Sequence, residues 1–151
     1  MAFVDAGFVV PLELDGGWCR LRPLRVGDNA ADFAAWHGSV EHIRATPGFG
    51  ERPWPLAEYT LEQNHHDLAA HEVDFAERRG FTYTVLDSAD EVIGCVYIYP
   101  PVDSAPEGTD ASVRSWVRAD HAARDVDLYR LVTLWLAEHW PFMAVDYASR
   151  V

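Results

Sequence analysis

The sequence predicts one α/β domain over residues 1–151, a mixed and mostly antiparallel sheet with helices packed on it, in the order β β α α β β β α β. Three observations carry this. At 151 residues with 49% hydrophobic side chains, the chain can bury one sizeable core and is too short for two. Short β-rich runs alternate with long stretches of helical periodicity. Two pairs of β-rich runs are joined by tight turn signals, as in antiparallel hairpins, whereas the last pair is separated by a helix, which returns the chain in parallel.

In chain order, "FVVPLEL" and "WCRLRPL" flank "DGG", where glycine supplies the positive φ of a tight turn. "GDNAADFAAWHGSVEHI" is a helix with Asp28 as its expected cap and Ala31, Phe33, Ala34 and Trp36 near one side. "RATPGFGERPWPLAEY" is a loop, because its prolines and glycines sustain neither helix nor strand, and its length marks it as functional. "TLEQNHHDLAAHEVDFAERRG" is the clearest helix: Thr60 and Gln63 have capping-box spacing, Leu61, Leu68 and Phe75 form a stripe, and Gly80 is the expected stop. "FTYTVLD" and "EVIGCVYIYP" form the second hairpin across "SAD", ending at Pro100 and Pro101. After the polar loop "PVDSAPEGTD", "ASVRSWVR" is a strand. Residues 126–140 are a helix with Leu128, Leu131, Val132 and Trp135 at core spacing, and "PFMAVDYAS" is the last strand.

Composition narrows the function. Twelve basic against twenty-four acidic residues give a formal charge of −12, which opposes the phosphate neutralisation behind nucleic-acid affinity, so neither nucleic acid nor an anionic membrane is expected as partner. "MAFVDAGFVV" lacks a basic start and carries Asp5 within its apolar run, so no signal peptide or membrane span is expected, and the cytoplasm is the expected compartment. Cys19 and Cys95 are distant in sequence, show no metal spacing and read as reduced core thiols. His65, His66 and His71 include helical i, i+4 pairings with Glu62 and Asp67, but no third ligand can be named and no metal is assigned. Trp116, Trp135 and Trp140 read as packing, while Trp54, between two prolines, reads as a lid or a subunit contact.

The stretch "WVRADHAARDVDLYRLVTLWL" runs from strand through loop into helix, where unpartnered helical N–H groups favour an anion. Asp125 and Asp127 stand in that loop. Their charge opposes a phosphate, since two like charges at 4 Å cost about 4 kcal/mol at an effective dielectric of 20; they serve equally as ordinary helix-start acids. Arg114, Arg118, His121, Arg124 and Arg130 cluster around them, either to hold phosphate oxygens or to pair with Asp120, Asp125 and Asp127.

With "CRLRPLRVGDNAADFAAW", "YTVLDSADEVIGCVYIYP" and the strand–loop–helix at 113–136 in this order and spacing, the chain resembles the GNAT superfamily of acyl-CoA N-acyltransferases over residues 18–148. The resemblance implies acetyl-CoA, or another acyl-CoA, as co-substrate. Its pantetheine would lie between two splayed parallel strands and its diphosphate in a Q/R-x-x-G-x-G/A loop. On this chain those positions are Trp116, Val117, Arg118, His121, Ala122, Ala123, Arg124, Asp125, Val126 and Asp127. Ala122 replaces the usual Arg or Gln, and Asp125 and Asp127 replace the glycines whose backbone would approach the diphosphate. The family usually continues beyond the last strand with a helix and two strands, the helix often bearing a Tyr that protonates the thiolate; such a segment is not expected in a sequence ending at Val151. The N-terminal strand or a partner subunit, as in a homodimer, could cover the resulting sheet edge.

The implied reaction moves an acyl group to an amine of a small molecule or peptide. It needs a neutral amine, a polarised thioester and a proton for the sulfur. Tyr97, which with Tyr99 shares a side of its strand with Cys95, is the expected acid, although such tyrosines also serve as half-buried sheet residues. Trp36, His42 and Arg44, at the first helix end, are the expected acceptor contacts. The departures in the loop leave a second expectation, a catalytically inactive ligand-binding or interaction domain of the same fold.

Overall fold

The computed structural model describes residues 2–151. Six strands form one sheet in sequence order: β1 (Leu14–Asp15), β2 (Arg20–Pro23), β3 (Phe81–Leu86), β4 (Val92–Tyr99), β5 (Ala111–Val117) and β6 (Val145–Tyr147). Neighbours are antiparallel except β5 and β6, which run parallel across the helical crossover, as the sequence predicts. The helices are α1 (Asn29–His37), α2 (Val40–Arg44), α3 (Leu61–Ala76) and α4 (Asp125–His139).

The two faces of the sheet carry separate cores. Leu128, Val132, Trp135 and Leu136 of α4 pack on one face, over Tyr83, Val96 and Val113. Trp36 of α1, Ile43 of α2 and Leu68 of α3 pack on the other, over Cys95, Tyr97 and Trp116. Strand alternation explains this division, because successive residues of β4 and β5 point to opposite faces. Cys19 and Cys95 are buried and unpaired, and burial raises the Cys19 thiol to about 11.

Several local signals act as expected. Thr60 Oγ1 accepts from Gln63 N–H at 3.1 Å and Gln63 Oε1 accepts from Thr60 N–H at 2.8 Å, closing the capping box. The first hairpin turns at Gly17 (φ 82°), whose N–H donates to Asp15 Oδ1. The second turns at Asp90 (φ 60°), with Asp87 Oδ1 accepting from Ala89 and Glu91 N–H.

Other expectations are corrected. The first long helix breaks at Gly38 and Ser39 into α1 and α2. Asp28 does not cap α1 with its side chain; its carboxylate forks onto Arg22 at 2.8 and 2.9 Å and accepts from Arg25 N–H. Ala31 and Ala34 face solvent, whereas Asp32, Ala35 and Trp36 turn inward, because Asn64 of α3 donates to Asp32 and accepts from the Trp36 indole N–H. Leu61 is exposed, so only Leu68 and Phe75 of its stripe reach a core. The left-handed step after α3 falls on Arg78 (φ 61°), while Gly80 is needed for close approach, since a Cβ there would meet the Tyr99 ring at 2.1 Å. The strand at residues 8–14 shrinks to its last residue: Pro11 has no N–H for a ladder, and its carbonyl instead accepts from the Tyr83 hydroxyl at 2.6 Å. The N-terminal segment therefore packs over the α4-side core, with Phe3 stacked between Phe81 and Phe142 and Phe8 against Trp140.

Gly94 lets β4 approach the β5 backbone closely, because a Cβ there would lie 2.4 Å from the Trp116 carbonyl oxygen. Gly94→Ala should therefore lower stability by about 1–3 kcal/mol through overpacking, measurable by urea unfolding with an unchanged m-value. No described helix is long and apolar enough to cross a membrane.

Candidate active site

β5 and β6 pair only from Ala111–Val145 to Val113–Tyr147; beyond that β6 ends and β5 runs on to Val117. Backbone pairing between the two parallel segments thus stops at Val113 and Tyr147, leaving the β5 edge beyond it without a strand partner. The wedge between them is filled by the chain's own groups. Ser115 Oγ and the Tyr147 hydroxyl meet at 2.5 Å. The Arg150 side chain, 2% exposed, donates from Nη2 to Ser115 O at 2.8 Å, from Nη1 to Ala148 O at 2.7 Å and from Nε to Asp125 Oδ2 at 2.8 Å. A carbonyl on the outer edge of β5, which a pantetheine amide could bond, is therefore already satisfied. In this conformation the wedge does not admit an acyl-CoA arm, and it does so only if residues 148–151 move.

The loop expected to cradle the diphosphate is a 3-10 turn, Ala119–Arg124, running into α4. Its cations are engaged within the segment. Arg118 forks onto Asp120 at 3.0 and 2.6 Å, and His121 Nδ1 lies 2.9 Å from the same carboxylate. Arg124 bonds Asp127 at 3.1 Å and lies over the Trp18 ring. The Arg118 guanidinium, then His121, hold the Asp120 carboxyl well below the usual range. Ala122 and Ala123 are exposed and Val126 is half-buried. Asp125, on the first glycine position, faces Arg150, and its Oδ1 is buried without a partner.

On the opposite face two cavities adjoin, with Arg52 and Arg114 lining both. The outer one, about 430 Å³, lies along Ser112, Val113 and Arg114 of β5 and Asp146 and Ala148, at the point where the strands part. The inner one, about 150 Å³, is bounded by Asp32, Asn64 and His71, with Tyr97 below and Trp54 above. Trp54 stacks near Trp36, Phe49, Tyr97 and Trp116, so the Pro-rich loop roofs the inner cavity.

Burial tunes these groups. Asp32, 4% exposed, is raised to about 7, because burial outweighs the hydrogen bond from Asn64 and Asp28 and Asp67 add repulsion. Burial lowers the His71 imidazole; its Nδ1 lies 2.7 Å from the Tyr99 hydroxyl, which itself donates to Asp74. Burial raises Tyr97 well above its ordinary value, so it stays protonated while its oxygen accepts from Trp116 Nε1 at 2.9 Å. Burial, then the charge of Arg52, bring Arg114 down to about 10.

Tyr97 thus faces the inner cavity from β4, with β5 standing between it and the wedge. Trp36 is fully buried behind Trp54 and bonds Asn64. Arg44 donates to Pro55 O at 3.0 Å, and His42 Nε2 is buried without a partner. These last three support the loop and line neither cavity. The sequence reading passed over Asp32, Arg52, Asp146 and Arg150. Strand alternation was a usable signal for Arg114, which shares its side of β5 with Ser112 and Trp116. Among the described residues no group of three or more His, Cys, Asp or Glu is disposed to hold a metal.

No family model and no curated protein matches the sequence. Solved structures share its fold: a largely antiparallel sheet ending in a parallel pair, it is that of the GNAT acetyltransferases. A protein assigned as a ribosomal-protein-serine acetyltransferase from Vibrio cholerae aligns over 89% of this chain and 72% of its own, at 10% identity and a TM-score of 0.65. The ribosomal-protein-S5-alanine acetyltransferase from Vibrio fischeri aligns over 83% and 67%, at 14% identity and 0.62. The microcin C7 self-immunity acetyltransferase MccE, solved with acetyl-CoA and AMP, aligns over 85% and 67%, at 9% identity and 0.59. At such identities the likeness is one of fold.

Proposed function

We propose that this chain is a cytoplasmic N-acyltransferase that moves an acetyl or related acyl group from acyl-CoA to an amine of a small molecule or peptide. The observation that carries the reading is the parting of β5 from β6 beyond Val113 and Tyr147, with the outer cavity opening at that same point. Acyl-CoA, when bound, supplies the activated carbonyl. The chain supplies the rest. Residues 148–151 leave the wedge and free the Ser115 carbonyl. Asp146 holds the amine and takes a proton from it. Tyr147, kept protonated by burial, donates a hydrogen bond in the wedge where sulfur would depart. Tyr97 stays on the acceptor side, where it fixes Trp116 and closes the inner cavity.

A second reading is favoured by one specific observation, the Arg150–Asp125 contact that fills the wedge. On that reading the fold is kept as a ligand-binding domain whose ligand sits in the two cavities. Thermal melts with acetyl-CoA separate the two, since a ligand at 100 times its Kd adds about 2.7 kcal/mol to the native state. Acyl transfer predicts a rise for the wild type and a larger one for Asp125→Gly. No rise for either at millimolar acetyl-CoA would discard the transferase reading and leave the ligand-binding one.

A further inference from the structure

The chain holds twenty-four acidic and twelve basic residues, so a cation has carboxylates to choose from. Several of its less exposed arginines use them, Arg22 with Asp28, Arg118 with Asp120 and Arg150 with Asp125, while the half-buried Arg44 and Arg78 donate to backbone carbonyls. Arg52 and Arg114 depart from this pattern. Both are half-buried, both line the two cavities, and among the described residues neither guanidinium has an ion-pair or hydrogen-bond partner. The Phe49 and Tyr97 rings take the faces of Arg114 at 5.2 and 5.0 Å, which leaves its N–H edge, the part that bonds a carboxylate, unused. Burial first, and the charge of Arg52 second, weaken the hold of Arg114 on its proton, so the two neighbouring guanidiniums repel. An anion between them removes both penalties.

Asp146 lies on the same cavity, next to Ser112 in the β5–β6 register and diagonal to Arg114, and it forms no ion pair with either guanidinium. Opposite charges are thus held apart around a space of about 430 Å³. We propose that the outer cavity binds a free amino acid, its carboxylate on the Arg52 and Arg114 guanidiniums and its amino group on Asp146. The ammonium end then sits where β5 and β6 part. Only the identification of that amine as the acyl acceptor rests on the transferase reading; the binding needs no acyl donor.

Calorimetry without acyl-CoA tests it, with L-alanine, L-leucine and L-phenylalanine against ethylamine, isopentylamine and phenethylamine. At least one amino acid should bind, its decarboxylated partner at least tenfold more weakly. Arg114→Met and Arg52→Gln should each weaken the amino acid at least tenfold, with folding checked by circular dichroism; Arg52, which lies in a loop and not in the sheet, guards against a folding defect at Arg114. Asp146→Asn should weaken the free amino acid and leave its N-acetyl derivative unchanged. The proposal is overturned if none of the three amino acids binds at millimolar concentration, if amine and amino acid bind alike, or if folded Arg52→Gln binds as the wild type does. Amino-acid binding without turnover in added acetyl-CoA would keep this site and discard acyl transfer.

Discussion

Arg150→Ala melts at a lower temperature than the wild type and binds acetyl-CoA more tightly. Removing one partner of a buried pair typically costs about 3–5 kcal/mol, because the other charge is left uncompensated. Asp125 keeps some exposure, 17% of its side chain, which lowers the expected loss to about 2–3 kcal/mol. At roughly 2–4 °C per kcal/mol for a chain of this size, the melting temperature falls by about 5–10 °C. The same free energy opposes acyl-CoA in the wild type, which must displace Arg150 before the Ser115 carbonyl is free. With the side chain gone, that opposition vanishes, and affinity rises about 30- to 100-fold, each factor of ten being about 1.4 kcal/mol. Calorimetric titration of both proteins reads the difference. A variant that is destabilised yet no tighter for acetyl-CoA would show that Arg150 is a structural strut and not a latch.

Asp32→Asn stabilises the protein at pH 8 and changes little at pH 4. Burial raises Asp32 from the ordinary 3.8 of an aspartate to about 7 in the folded chain. Between these values the folded chain holds a proton that the unfolded chain has released. Stability therefore falls as pH rises from about 4 to 7, by about 1.4 kcal/mol per unit and on the order of 4 kcal/mol in all, and levels off above. Asparagine keeps the shape and the hydrogen bond with Asn64 but has no charge to desolvate. Its gain at pH 8 should be about 2–4 kcal/mol, read from urea midpoints across the pH range. If the gain is independent of pH, Asp32 is not the titrating group. A buried carboxylate kept at such a disadvantage in a cavity wall is typical of sites that trade stability for ligand binding.

How much was legible in the sequence follows from how local each signal is. The Thr60–Gln63 capping box, the Asp15–Gly17 turn and the period-two alternation of β4 and β5 are set within a few residues, and all appear in the structure. The parallel return of β6 followed from the crossover helix. Asp32 gave no signal, because a charged residue on a short helix looks solvent-facing unless its partner, Asn64 on α3, is known. Arg150 gave no signal, since its partners Ser115 and Asp125 are 35 and 25 positions away. Trp36, His42 and Arg44, at the first helix end, line neither cavity, because the loop after them folds back and presents Arg52 and Trp54 there.

The aromatic roof has an optical consequence. Trp54 lies 5.2 Å from Trp36 and 6.3 Å from Trp116, centroid to centroid, so the excited states of three indoles couple, one of them roofing the inner cavity. Light absorbed by any of them is shared, and a molecule that tilts Trp54 alters near-ultraviolet dichroism and emission together. Occupancy of this chamber is written into the protein's own spectrum, without a dye or a label.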